Sequence, residues 1–283
     1  MTKPLVKLIE STKYPGLFTK KYARHVFYDN LWNEELVESR GRVLLKDGTV
    51  VVNPFTKIFN YGENGTTIDR DEQCLVVQKI NGFMAAATFV AHGINKVVVS
   101  TTGSLDSDFV AMAEEYITDR VKTLIEEKYA GFTLLFEICH PNDPHIIKER
   151  PGAYLIGARW IKSKDAYFST LGGESTLDFM AKELGVYRPS YTVGRFSDVV
   201  EYTRHVQHEG FVVYGQDSGK VLKIKSPYYL ALKAAARVKD IAKLNKSKVD
   251  EEFYPLIEHL QSLPEYGILS EQAKLTYIRN YYA

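Results

Sequence analysis

Four residues, Lys79-Ile80-Asn81-Gly82, join the apolar run Leu75-Val76-Val77 to the apolar run Phe83-Met84-Ala85-Ala86-Ala87. Both runs read as buried strands, so the lysine stands where a chain normally avoids a charge. An ammonium is costly to remove from water unless it is paired. This placement presents an amine in a pocket, where it is a nucleophile once deprotonated. The same four residues also read as a lysine ahead of a hairpin, because Asn-Gly suits a tight two-residue turn. Residues further along the chain bear on that choice.

Phe132-Thr133-Leu134-Leu135-Phe136-Glu137-Ile138 is a strand-like apolar run that carries one acid, Glu137. Glu209-Gly210-Phe211-Val212-Val213-Tyr214 brings a second acid at the start of a strand. Val221-Leu222-Lys223-Ile224-Lys225 spaces two lysines by two, so both project from one strand face. In chain order these are K-x-[DN]-G, F-E, E-G-[FY]-V and K-x-K. The series resembles that of the covalent nucleotidyltransferases, which comprise DNA ligases, RNA ligases and mRNA capping enzymes. Four motifs in this order are far more specific than any one of them.

Within that superfamily the flanking sequence resembles the phage RNA ligase 1 family, which includes the ligase domain of fungal tRNA ligases. Glu38-Ser39-Arg40-Gly41-Arg42 is similar to the family's R-G segment, and the stretch from Asn53 to Glu63 is similar to its R-P-x-x-K-F-F-N-x-x-E segment. Lys223-Ile224-Lys225-Ser226-Pro227-Tyr228-Tyr229 matches its K-x-K-S-x-[WY]-Y ending. The resemblance runs from about Arg40 to Tyr229. Capping enzymes and ordinary DNA ligases lack the R-G and K-x-F-N segments. There are two departures. Position 81 is Asn where most phage members carry Asp, and Thr102 stands where they have a lysine just before Gly-Ser.

The resemblance implies an α+β fold: an ATP-grasp-like nucleotidyltransferase domain of mostly antiparallel sheets with flanking helices at 1–226, then a small all-helical domain at 227–283. It implies ATP-dependent RNA ligation through a lysyl-AMP intermediate, with Lys79 as the nucleophile. A free lysine titrates near about 10.4, so its amine fraction at neutral pH is roughly one in a thousand. Burial and neighbouring cations raise that fraction. Lys223 and Lys225 suit the charge that gathers on the transferring phosphate, and the family pattern adds Arg40 and Lys57 as nucleotide-phosphate contacts. Glu137 and Glu209 repel phosphate and make sense as holders of Mg²⁺ (or Mn²⁺) through its water shell. Glu137 also reaches the ribose, Asn81 acts on the metal through water, and Tyr229 is a contact for the RNA end or a phosphate. The expected partner is RNA with 5′-phosphate and 3′-hydroxyl ends. Alternative readings are a DNA ligase, a capping-type guanylyltransferase, or a non-catalytic RNA-binding module.

Bulk properties fit this reading. The formal charge is +1 and there are two cysteines, too few for a disulfide framework. No apolar run approaches the roughly 20 residues of a membrane span, and a monomer in the cell interior is expected. Basic residues are concentrated between Lys220 and Lys248, where Asp240 is the lone acid, an excess suited to phosphates. Val43 to Val52 reads as a hairpin about Asp47-Gly48. Further strands are expected at 74–77, 84–91, 96–100, 133–139, 154–160, 210–214 and 221–224. Helices are expected at 107–127, 229–244, 251–262 and 271–281.

Overall fold

The computed structural model describes residues 3–91, 93–162, 173–238, 240–244 and 253–281. By compactness the chain divides into two units, one of Met1–Ile58, Gly82–Asp143 and Arg150–Pro189, the other of Phe59–Asn81, Pro144–Glu149 and Ser190–Ala283.

The first unit holds two four-stranded antiparallel sheets. One runs β1 (Val6–Glu10), β2 (Leu17–Tyr22), β3 (Arg40–Leu45), β4 (Val50–Val52). The short helices α1 (Arg24–Tyr28) and α2 (Glu34–Glu38) lie between β2 and β3 in the chain. The other sheet has the order β7 (Lys96–Thr101), β6 (Phe83–Val90), β8 (Phe132–Cys139), β9 (Gly152–Trp160). Strand alternation divides β6 and β8 between two cores. Ala85, Ala87, Leu134, Phe136 and Ile138 pack under α3 (Asp108–Tyr116), α4 (Asp119–Lys128) and α5 (Glu174–Leu184). Ala86, Val90 and Leu135 face Val43, Val51, Val52 and Phe55 on the other side. Buried on both faces, these strands lose the apolar–polar alternation of a half-exposed sheet. Gly157 of β9 admits the Phe55 ring, since a Cβ there would lie 2.3 Å from it.

The second unit has one antiparallel sheet, β10 (Tyr191–Arg195), β5 (Gln73–Gln78), β11 (Gly210–Gly215), β12 (Val221–Lys225), with α6 (Phe196–Thr203) on its apolar face. A further core joins Ile146 to α7 (Pro227–Arg237), α8 (Tyr254–Gln261) and α9 (Glu271–Tyr281). Compactness thus groups these helices with the sheet that precedes them.

The hairpin at Asp47-Gly48 forms as expected: Gly48 has φ +89° and Leu45 N–H donates to Thr49 O at 2.9 Å. The helical spacing over 107–127 resolves into two helices. Ile117 leaves the helical region at ψ 68° and Thr118 is extended at ψ 169°, which turns Ile117 fully into the core. The helix expected from Tyr229 to Leu244 starts earlier, at Pro227, a residue pre-set for a first turn, and stops at Arg237. Strands β1, β2 and β10 and helices α5 and α6 were not expected. β1 and β10 are mostly exposed and carry little alternation, whereas α5 buries Leu177, Met180, Ala181 and Leu184 at helical spacing, a periodic signal the sequence does carry.

Candidate active site

Lys79 is the first residue past β5. Its N–H donates to Gly210 O at 2.9 Å, which ties it to the start of β11, where Glu209 stands. Glu209 is 2 % exposed. Its carboxylate lies 3.1 Å from Lys79 Nζ, 3.5 Å from Lys225 Nζ, and accepts from Asn81 Nδ2 at 2.6 Å. One buried acid thus holds two ammoniums and an amide. A buried ion pair is tolerable only when its remaining lone pairs are satisfied, and Asn81 meets that need. Asn81 is itself fixed, because its carbonyl accepts from Ile147 N–H at 2.9 Å.

Gly210 makes this geometry possible. It has φ +125°, and a Cβ there would lie 2.0 Å from Ile224 O, so β11 meets β12 closely only with glycine present. Ser226 locks the other end. Its N–H donates to Glu209 O at 3.0 Å, its hydroxyl donates to His208 O at 2.5 Å, and the same oxygen caps α7 by accepting from Tyr229 N–H at 3.1 Å. The serine of K-x-K-S is therefore a clamp between Glu209 and α7.

Lys223 and Lys225 share one face of β12, as their spacing requires. Lys223 is positioned through its backbone: it donates to Phe59 O at 2.9 Å and accepts from Tyr61 N–H at 2.8 Å. That loop is held by Glu63, which accepts from Asn60 N–H at 2.9 Å and from Asn60 Nδ2 at 2.7 Å. The N-x-x-E end of the 53–63 segment thus braces the lysine strand. Burial lowers the Lys225 pKa, with Lys79 pushing the same way and Glu209 opposing. Tyr229 is buried, and burial raises its hydroxyl to about 12. The ammoniums of Lys225 and Lys233 lie 5.0 Å and 5.5 Å from its ring centroid. Lys233, lowered by burial and then by Lys225 and Arg237, was not singled out from the sequence.

Arg40, Lys57 and Glu137 belong to the first unit. Glu137 is buried on β8 and accepts from Gly82 N–H at 3.1 Å. Gly82 is required by close approach, since a Cβ there would lie 2.2 Å from Ile138 O. Neither Asn81 nor Gly82 has positive φ, and β5 and β6 belong to different sheets. The hairpin reading of Asn-Gly is therefore wrong: the glycine serves tight packing and the asparagine serves Glu209. Lys57 is 7 % exposed, with its ammonium 4.9 Å from the Trp32 ring and 5.5 Å from that of Phe27. Arg40, at the start of β3, points a guanidinium nitrogen at Met84 Sδ, 3.8 Å away.

The flanks of Arg40 do structural work. Glu38 pairs with Arg42 and, at 3.0 Å, with the fully buried Arg159. Arg159, whose Nη1 also donates to Pro54 O at 2.6 Å, gave no sequence signal beyond an arginine in an apolar strand. In the basic segment, Arg237 pairs with Glu271 at 3.5 Å and Lys243 with Asp240 at 3.1 Å. Lys239, Lys246 and Lys248 lie outside the described residues. No helix among the described residues is long and apolar enough to cross a membrane.

Known proteins share sequence and fold with this chain. RNA ligase 1 of Bacteriophage TS2126 is 30% identical over 142 residues, covering 44% of this chain and 34% of that protein, so the chain spans about a third of its curated relative. In fold, the chain is similar to an archaeal ATP-dependent RNA ligase (TM-score 0.60, 14% identity, 98% of this chain and 76% of that one). It is also similar to a putative ATP-dependent DNA ligase from Aquifex aeolicus (TM-score 0.56, 13% identity, 98% and 69%). A family model described as RNA ligase matches residues 36–229, which span every residue of the Glu209 cluster, and the chain belongs to the RNA ligase family.

Proposed function

We propose that this chain is an ATP-dependent RNA ligase that joins an RNA 5′-phosphate to a 3′-hydroxyl through a lysyl-AMP intermediate. The observation that supports it most is the cluster at Glu209, which sets the ammonium of Lys79 against a buried carboxylate with Lys225 beside it. The Glu209 carboxylate fixes the Lys79 nitrogen in place, and the side chain becomes a nucleophile once its proton leaves. Its amine then attacks the α-phosphorus of ATP. A nitrogen–phosphorus bond forms as the bond to the β-phosphate oxygen breaks, and pyrophosphate departs. Lys223 and Lys225 neutralise charge on the transferring phosphate, Arg40 and Lys57 contact the nucleotide phosphates, and Glu137 reaches the ribose. AMP then passes to the RNA 5′-phosphate, and attack by a 3′-hydroxyl releases it, with Tyr229 near the RNA end.

Glu137 and Glu209 are oxygen donors of the type a hydrated divalent ion takes, so the donor set fits magnesium or manganese. Glu137, Glu209 and, through water, Asn81 would hold the ion, which supplies positive charge to the phosphates. In this reading residues 1–226 carry the nucleotide chemistry and 227–283 form a small helical appendage. The protein acts as a monomer on RNA, inside the cell.

Incubation with labelled ATP or GTP and a denaturing gel, extended to a 5′-phosphorylated RNA strand, tests this. The expected result is a covalent adduct from ATP and a sealed RNA product. An adduct from GTP instead would identify a guanylyltransferase, and no adduct from either would leave an RNA-binding module.

A further inference from the structure

Strands β2 and β3 pair with a register shift between Lys20 and Lys21: Lys20 opposes Arg42, but Lys21 opposes Arg40, which leaves Gly41 as the extra residue. Gly41 has φ +89°, and a Cβ there would lie 2.7 Å from Thr102 Cα. This is a bulge that requires glycine, of the kind that re-aims neighbouring side chains. Its consequence is a rung with two cations directly opposite, an arrangement that destabilises a sheet. The adjacent rung shows the ordinary remedy: Lys20 pairs with Glu35 at 2.7 Å and Arg42 pairs with Glu38. Among the described residues neither Lys21 nor Arg40 meets a carboxylate. Lys21 Nζ donates to Gly103 O at 3.3 Å, and Arg40 faces the Met84 sulfur. Met84 pairs across the sheet with Glu137, so the guanidinium sits on the face that carries that acid.

We propose that Lys21 and Arg40 form one anion site, and that Lys21 is a further contact for the polyphosphate of the nucleotide, the part that leaves as pyrophosphate. The identity of the anion rests on the ligase reading; the site itself rests on the rung. Both side chains are partly exposed, and two cations left without an acid gain most from a multiply charged phosphoryl ligand.

The test uses the full chain, inorganic pyrophosphate as the probe, and the variants Lys21→Met and Lys21→Arg. Titration calorimetry should show pyrophosphate binding about tenfold weaker in Lys21→Met and largely restored in Lys21→Arg. The melting temperature without anion should not fall in Lys21→Met, because removing one cation relieves the repulsion. Equal pyrophosphate affinity in wild type and Lys21→Met overturns the proposal. So does a drop in the anion-free melting temperature, which would make Lys21 a structural tie to Gly103. Adduct formation with labelled ATP is scored in parallel. If the wild type forms no adduct while pyrophosphate binding still depends on Lys21, the ligase reading fails and the anion site stands. An adduct together with Lys21-independent binding removes this inference alone.

Discussion

Cations are handled differently in the two units of the chain. In the second, Lys79 and Lys225 share one buried acid, Glu209, whose position is set by Gly210, Ser226 and Asn81. In the first, Lys21 and Arg40 face each other across a bulge with no carboxylate among the described residues, while the flanking Lys20 and Arg42 each have one. A compensated cluster is held in shape before any ligand arrives, so its lysine is already positioned. An uncompensated rung costs stability until an anion arrives. The same residue types thus serve positioning in one place and ligand capture in the other.

The largest expected effect breaks the second cluster at its nucleophile. Lys79→Ala should abolish the nucleotide adduct, to below about one part in a thousand by intact mass, while Glu209 keeps Lys225 and Asn81 and the fold survives. An adduct of normal yield would move the chemistry to another lysine. Next comes Glu209→Gln, which leaves two ammoniums facing a neutral amide. Breaking a buried pair is costly, but both lysine side chains are one-fifth exposed, so a loss of about 2 kcal/mol by urea denaturation is expected. Arg40→Gln in the first unit should cost nothing in the same assay. Equal losses in the two variants would erase the contrast between the units.

Asn81→Asp is the sharper probe of how Glu209 is held. It replaces a donor 2.6 Å from the Glu209 carboxylate by a second carboxylate. A loss of about 1 kcal/mol without divalent metal is expected, and a smaller one with magnesium present. A variant as stable as wild type in chelator would show that the Asn81–Glu209 bond contributes little.

The smallest effect is in pH dependence. Burial lowers the Lys225 pKa below the ordinary 10.5, so in the alkaline window just under 10.5 the unfolded chain binds more protons than the folded one. Stability contributed by this group therefore rises with pH across that window. Lys225→Gln should remove that component, seen as a flatter difference in unfolding free energy between the two proteins. An unchanged slope would mean that Glu209 offsets the burial.

Much of the fold was legible: β6 and β8 are buried on both faces and read as apolar runs, β12 alternates apolar residues with Lys223 and Lys225, and these strands, with β5 and β11, fall where expected. The N-terminal strands were not legible, since β1 is exposed along most of its length and carries no alternation. The helical spacing of 107–127 concealed a break, because Ile117 and Thr118 keep the apolar periodicity while leaving the helix. Among site residues, Lys79, Asn81, Glu209 and Lys225 converge. Lys21 was missed because its significance depends on which residue opposes it, and no local pattern records a one-residue bulge.

From the sequence alone follow the order of the motifs, the one-face spacing of Lys223 and Lys225, and the family resemblance, since these depend on residue identity and short-range periodicity. Tertiary structure alone decided that Asn81-Gly82 is no hairpin, that Ser226 clamps Glu209 to α7, and that Arg42 pairs with Glu38 while Arg40 faces the Met84 sulfur. Each of these depends on contacts between residues far apart in the chain. A glycine looks the same in sequence whether it supplies positive φ or lets two backbones approach, and a charge looks the same whether or not an acid waits opposite.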